Sequence, residues 1–588
     1  MMERMRWVKT MCIVVPAVLL SVACHAPNDD AAGETPVNVL SRFGTDGKAW
    51  LTLDFTVAAH SGGTSRAANG LFADGTDAEN AVKTLTLVLF HGTGAEADMR
   101  VASTYALQWS PADDGHQQLS DHSETTLQIS ADHIAADDRI GMMAIANSSV
   151  AVTVGTTFAS LCETIVSSVV NDIDGTSYYV MSSSPLATAN DGSGQTETLA
   201  MINPLRLYAT AAESQSHPAA GHVYLERAAV KVTVDTADDL ATRIEGNSAI
   251  DFTTSDLYYS LFNYNTRCLL VRQFDDAWLP YNASSTGFRF VEQTPLPTGR
   301  YATYWAHDVN YDTDIAPDGY FKQWNGMGLS DYCAENTFDA AHMSDANTTS
   351  VVVALQLNGG ADFFTASVTG TDVIYQLPAS QLSEEGTAAN QSFACRRSPY
   401  VATAKTIDEY LQAWLMQTHS GVRQWVARYA GGEAKHLTIH VVGDADTGLA
   451  TVTVTQTAQT DGQGVTDFEA LLLDDYMAEN IVVSYYQQGF CYYRVPIRHF
   501  GDELTPWTST ASMTAPTPAA AYGASGDTAY LGRYGVVRNN WYQLYIKRIV
   551  HIGSPTVTPL SSHADDNIEQ LLNTTLSITG WTTHEQDL

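Results

Sequence analysis

Residues 48–59 read KAWLTLDFTVAA, with Leu51, Leu53, Phe55 and Val57 at every second position. A two-residue apolar period is that of a strand with one face buried. The run opens into HSGGTSRAANGLFADGTDAENAV (60–82), rich in Gly, Ser, Asn and Asp. That composition marks an exposed loop, and the Arg66–Ala67 bond inside it is open to a protease. A half-buried strand followed by a cleavable link is thus the first feature of the chain. Further strand-like runs follow at 84–90 (TLTLVLF), 140–145, 149–154 and 177–181, separated by polar turns.

Beyond the polar AAESQSHPAAGH (211–222), YLERAAVKVTV (224–234) reads as one long strand that opens a second unit. Strand-like runs continue at 257–262, 351–357, 437–442, 450–455 and 481–486 without strand–helix alternation, which argues against a parallel α/β sheet. One helix is expected, over 406–416 (TIDEYLQAWLM). There Thr406 and Glu409 have capping-box spacing, and Ile407, Tyr410, Leu411 and Trp414 share a face. A chain of 588 residues exceeds what one core sustains. The expectation is an all-β protein of two tandem β-sandwich domains, transthyretin-like, with a small helical insertion and exchangeable terminal strands.

Lys and Arg number 30 against 65 Asp and Glu, for a net charge of -35. Such a surface repels nucleic acid and anionic bilayers, so neither is an expected partner. At the front, Arg4, Arg6 and Lys9 precede the apolar MCIVVPAVLL (11–20), too short to span a bilayer, and then LSVAC (20–24). This ending resembles a bacterial lipobox, which makes Cys24 the lipidated first residue after a signal peptide of residues 1–23. The membrane is then met only through the precursor lipid. Cys162, Cys268, Cys333, Cys395 and Cys491 remain; their odd number and wide spacing suggest neither a dense disulfide scaffold nor a zinc site, and leave room for one or two bridges.

The other end repeats the theme of the front. After the polar arm from residue 556, Leu572, Thr574, Leu576 and Ile578 alternate in LLNTTLSITGW (571–581), a terminal strand on a flexible arm. Features of catalysis are sparse. GASGD around Ser525 lacks the nucleophile-elbow spacing. His436 and His440 have no third ligand nearby, and DVNYDTDIAPDG (308–319) lacks the Gly and Glu of a calcium loop. Trp541, Tyr542 and Tyr545 suit packing better than a glycan platform. No enzyme activity and no cofactor are expected.

CYYRVPIRHFGDE (491–503) and GRYGVVRNNWYQLYIKRIVHIGSP (532–555) resemble segments of the fimbrillins of the type V pilus, and among them the shaft subunit of the minor, Mfa-type fimbrium. YATYWAHDVNY (301–311), YLERAAVKV (224–232) and AENAVKTLTLVLF (78–90) are similar too. The resemblance implies export as an outer-membrane lipoprotein and cleavage by an Arg-specific protease after the first strand. Arg66 with Ala67 matches that place; Arg42 competes, but a cut there would leave Leu51–Val57 attached. The expected divisions are a lipidated propeptide (24–66), an N-terminal sandwich (67–222), a C-terminal sandwich with insertions (223–555) and a donor arm (556–588). The expected role is an extracellular fimbrial shaft subunit mediating adhesion. Its strand Leu51, Leu53, Phe55, Val57 would be displaced by another copy's Leu572, Thr574, Leu576, Ile578. Expected partners are other copies, accessory fimbrial subunits, the Arg-specific protease and host or bacterial surface receptors. Alternatives are a tip or accessory adhesin and a surface glycan-binding lipoprotein.

Overall fold

A computed structural model describes residues 38–57, 75–113, 118–191, 193–244, 251–276, 278–279, 290–292, 295–313, 315–339, 341–368, 371–375, 406–499, 531–561, 572–580 and 583–586. The fold is mostly β.

The first half is built on a nine-stranded sheet. Its main strands are β1 (Lys48–Val57), β2 (Leu85–Gly92), β3 (Arg100–Leu107), β4 (Gln118–Ser130), β5 (Arg139–Ala146), β6 (Met181–Ser183) and β7 (Gly221–Arg227). They lie in the order β3-β2-β5-β6-β7-β1-β4. Alternate residues of β2 and β5 serve two cores. Leu85, Leu87 and Leu89 join β1, β4 and β7 in one cluster, while Val88 and Phe90 join a second cluster that reaches Ala228, Cys268 and Leu270. Strands buried on both faces read as continuous apolar runs, as LTLVLF does. Turn chemistry closes the short hairpin 170–179, where Asp174 (φ 57) and Gly175 (φ 78) form a two-residue loop of the Asp-Gly type. Residues 149–154, expected as a strand, form no strand, and Val154 is exposed.

The second half begins where the run 224–234 breaks. It is two strands, because Ala228 carries the chain from β7 into β8 (Ala229–Thr236), which belongs to a different sheet. That sheet contains β10 (Ser330–Ala334), β13 (Asn540–Ile549), β14 (Leu572–Gly580) and β15 (Thr583–Gln586), in the order β10-β8-β13-β14-β15. Facing it are β9 (Leu257–Tyr264), β11 (Ser350–Gln356) and β12 (Phe490–Pro496). One core of Val232, Tyr259, Val353, Tyr493 and Leu544 joins the two layers as a sandwich.

The insertion between β11 and β12 is larger than the sequence suggested. It holds α1 (Ile407–Thr418), α2 (Ser420–Tyr429), α3 (Gly462–Glu469) and α4 (Leu473–Asn480), packed on a five-stranded sheet of residues 363–375, 437–456 and 482–486. Thr406 caps α1 by accepting from the Glu409 N–H at 3.3 Å. The four described thiols, Cys162, Cys268, Cys333 and Cys491, are free; Cys395 lies outside the described residues.

Buried charge sews the two halves together. Glu79 accepts from Tyr332 at 2.7 Å and pairs with Lys231 at 2.7 Å, while the Lys231 ammonium sits 3.9 Å from the Trp541 ring. Burial works to raise the Glu79 carboxyl, but Lys231, the Thr76 N–H and Tyr332 outweigh it and hold it below its usual range. Within the second half, Arg538 pairs with Glu335 in full burial and donates to the Leu269 carbonyl at 2.7 Å. Burial disfavours that guanidinium, yet Glu335 more than offsets the cost. Arg538→Met leaves a buried carboxylate alone and is expected to lower the unfolding free energy by about 3–5 kcal/mol. The double variant with Glu335→Leu should lose less, as urea denaturation would measure.

Candidate functional site: the slot of the first strand

β1 lies in the interior of its sheet. It pairs in parallel with β7, from Leu53 opposite Gly221 to Val57 opposite Leu225, and antiparallel with β4, from Lys48 opposite Ser130 to Thr56 opposite His122. Leu51, Leu53, Phe55 and Val57 are all fully buried in the core of this half. Phe55 meets the edge of Trp109 at 6.5 Å. Removing β1 would strip backbone partners from two strands and open an apolar groove between them.

The other face of β1 is polar and equally organised. Thr52 meets the Thr126 hydroxyl at 2.9 Å and Ser214 at 2.8 Å. Asp54 stands between two histidines from the flanking strands. His122 Nε2 on β4 is 3.0 Å from Oδ1, and His222 Nδ1 on β7 is 2.9 Å from Oδ2. Thr56 Oγ1 reaches both rings, at 3.3 Å and 3.1 Å. Asp54 Oδ1 is buried with no aligned hydrogen bond, so its contact with His122 is one of proximity. The two histidines lie far apart in the chain and escaped sequence reasoning; the one signal was an aspartate inside an otherwise apolar and hydroxyl strand.

The tail strand occupies a different kind of place. β14 pairs antiparallel with β13, from Asn540 opposite Gly580 to Ile549 opposite Leu572, and its outer neighbour is the four-residue β15. Leu572, Thr574, Leu576 and Ile578 thus lie on a strand of their own sheet's outer part. The lipidation residue Cys24 and the bond Arg66–Ala67 lie outside the described residues; Arg42 ends a short 3-10 turn, Val39–Arg42.

A cleft elsewhere, lined by Glu96, Phe158, Cys162, Asp275 and His307, holds a carboxyl that burial pushes up to about 7, at Glu96. Its one thiol, Cys162, is pushed up to about 12 by burial and is therefore a poor nucleophile. No group of three or more metal-ligating side chains occurs among the described residues.

Residues 516–587, which include β13 and β14, match the family model for the C-terminal part of fimbrillin, the major fimbrial subunit protein type IV. The tail is therefore similar to the C-terminal part of a fimbrillin. Solved structures with some likeness include a fimbrilin from Porphyromonas gingivalis, at 11% identity over 90% of this chain and 97% of that one, with a TM-score of 0.34. The tip fimbrial protein Mfa3 from the same organism, truncated at its C-terminus, matches at 11% identity over 59% and 85%, with a TM-score of 0.26. A fimbrial assembly protein from Parabacteroides distasonis matches at 10% over 53% and 82%, with a TM-score of 0.23. Likeness at this level assigns no role. No curated protein matches the sequence.

If β1 is the strand that completes the core, truncating the largest side chain of its fully buried face should weaken the whole half of the molecule. Phe55→Ala is expected to cost about 3–5 kcal/mol of unfolding free energy, read by chemical denaturation of the intact chain.

Proposed function

We propose that the chain is a structural subunit of a cell-surface fimbrium that polymerises by exchanging β-strands, with adhesion as its output. In this reading it is exported as a lipoprotein anchored through Cys24 to the outer membrane. An Arg-specific protease cuts between Arg66 and Ala67, and the segment 24–66 leaves with its lipid. The mature unit then comprises the two sandwiches, taken as 67–222 and 223–555, and the arm 556–588. Its partners are other copies, accessory fimbrial subunits, the protease and surface receptors.

The observation that carries the reading is the seat of β1, which is interior, paired along both edges and followed in sequence by a Gly- and Ser-rich loop with an arginine. Cutting that loop converts an interior strand into a dissociable peptide without breaking any other part of the sheet. Each large apolar side chain reburied in the emptied slot contributes about 1.5–3 kcal/mol, and strand addition supplies the backbone bonds.

The tail's place in its own sheet is compatible with departure. There β14 has one long ladder, on β13, and a short one on β15. In the slot of another copy it would take the place of β1, which is paired from Lys48 to Thr56 with β4 and from Leu53 to Val57 with β7. One slot and one tail per copy make a head-to-tail contact that does not close, and such contacts build filaments. A tail with this alternation favours a shaft subunit over a terminating tip.

A second reading has one observation in its favour. Tyr320, Phe321 and Trp324 are exposed, and Trp324 lies 6.0 Å from Tyr492, which lies 6.2 Å from Phe490. This aromatic strip would suit a monomeric glycan-binding lipoprotein that keeps its front end.

Deletion of residues 571–588 separates the two. Arg-specific cleavage of the intact chain should give denaturant-resistant ladders on gels, and the deletion variant should stay monomeric. Ladders from the deletion variant would end the exchange reading. Arg66→Ala should likewise remain monomeric and retain residues 24–66 by mass spectrometry.

A further inference from the structure

The slot has a polar rim as well as an apolar floor, and the two strands assigned to it differ at that rim. In β1 the rim position is Asp54, held between His122 and His222. In LLNTTLSITGW (571–581) there is no acidic side chain at any position. With Leu572, Thr574, Leu576 and Ile578 in the places of Leu51, Leu53, Phe55 and Val57, Thr575 falls where Asp54 stood. Any register that keeps residues 571–581 in the slot preserves the contrast, because that stretch offers the histidines only Asn, Thr, Ser, Gly or apolar side chains.

We propose that His122 and His222 make the slot selective for a strand that presents a carboxylate between them. Asp54 is then the residue that holds the first strand in place in acid and releases it as the imidazoles lose their protons. The inference rests on the reading that the slot changes its occupant.

The charges at the rim give the sign. Groups beside the pair include Asp54 on β1, Glu124 on β4, which stands opposite Asp54 in register, and Tyr224 on β7, whose ring lies 4.2 Å from that of His222; the helical turn Ala211–Gln215, whose Ser214 meets Thr52 on this face, carries Glu213. Burial and the nearby Asp54 both raise the Tyr224 phenol, so it stays neutral. With both imidazoles protonated, two positive charges meet two carboxylates while β1 is present. Exchange for the tail leaves two positive charges with Glu124 alone. With both imidazoles neutral, a Thr hydroxyl exchanges hydrogen bonds with them as well as Thr56 does now. The carboxylate strand is therefore favoured on the acid side of the imidazole range, and the hydroxyl strand gains as pH rises through it. The Asp54 side chain is 23% exposed, so solvent damps the effect without abolishing it.

The test begins with the intact, uncleaved chain. Asp54→Asn should lower the thermal midpoint at least about twice as much near pH 5.5 as near pH 8. The same loss at both pH values would overturn the proposal. After Arg-specific cleavage, mass spectrometry should find the leading peptide leaving the wild type about tenfold more slowly near pH 5.5 than near pH 8. In Asp54→Asn, and in a His122→Gln/His222→Gln double variant made in case the first folds poorly, the two rates should agree within about twofold. Unchanged pH dependence in either variant would overturn the proposal. If the cleaved peptide never leaves and no ladders form at any pH, strand exchange is what fails. The midpoint comparison on the uncleaved chain then still decides whether the rim selects for a carboxylate.

Discussion

The structure depends on one constraint: a strand in the interior of a sheet satisfies backbone groups on both its neighbours, and a sheet cannot lose it without replacing it. β1 is such a strand. Its partners β4 and β7 have no other neighbour along the edges they turn toward it, and its four apolar side chains fill the middle of their core. An unpaired backbone group shut away from water costs about as much as a lost hydrogen bond. The apolar groove left behind would add an exposed hydrophobic surface of the kind that seeks a partner. The same geometry that makes β1 indispensable to a lone chain makes its seat attractive to any strand of the right pattern.

Specificity then has to come from elsewhere, because a slot that needs only alternating apolar residues would accept many strands. Backbone pairing carries no sequence information, and Leu, Phe and Val side chains are read only by size. In the proposed exchange, the polar face of β1 would supply that discrimination. Thr52 is engaged by Thr126 and Ser214, and Asp54 and Thr56 by His122 and His222, so the rim reads hydroxyl and carboxylate positions in order. When the histidines carry charge, an occupant without a carboxylate would leave them with Glu124 alone and bind more weakly. A slot of the proposed kind would discriminate by penalising the wrong strand as well as by rewarding the right one.

Much of this was legible in the sequence, for reasons that differ from element to element. The alternation of 51–57 and 572–578 is visible because those strands have one apolar face each. Residues 224–234 read as one strand because both β7 and β8 are buried on both faces, which removes the period that would have marked the break at Ala228. In the insertion, α1 shows in the sequence through its cap and apolar stripe, whereas α2, with Val422, Trp425 and Val426 at helical spacing, has only a histidine at its start, His419, whose ring accepts from the Val422 N–H. α3, with two glycines in GQGVTDFE, has weak propensity and is held by its packing in the insertion, where Trp425 donates to the Gly464 carbonyl at 2.8 Å. The rim histidines were invisible because what unites them is the register of three strands distant in sequence. Register is set by the turns and the core, not by the histidines themselves.

The connection between slot and tail gives the architecture a mechanical logic for a fibre of the proposed kind. β7, which flanks the slot, continues through Ala228 into β8; β8 pairs in parallel with β13, and β13 carries β14. A pull on a strand in the slot would pass by one ladder to β7, along the covalent chain to β8, and by a second ladder to β13 and the tail. The weak point of such a path is the crossing at Ala228, where the backbone leaves one sheet for the other. It is braced by deeply buried charges. Arg227 donates to the Glu79 carbonyl at 2.8 Å and to Asn539 Oδ1 at 3.1 Å, and Lys231 pairs with Glu79. Arg538, next to Asn539, is locked to Glu335. A rigid apolar contact would resist compression but could slide, whereas buried, directional pairs resist shear because any displacement leaves a charge alone in the interior. The costly polar junction is therefore placed where a filament subunit would bear its load.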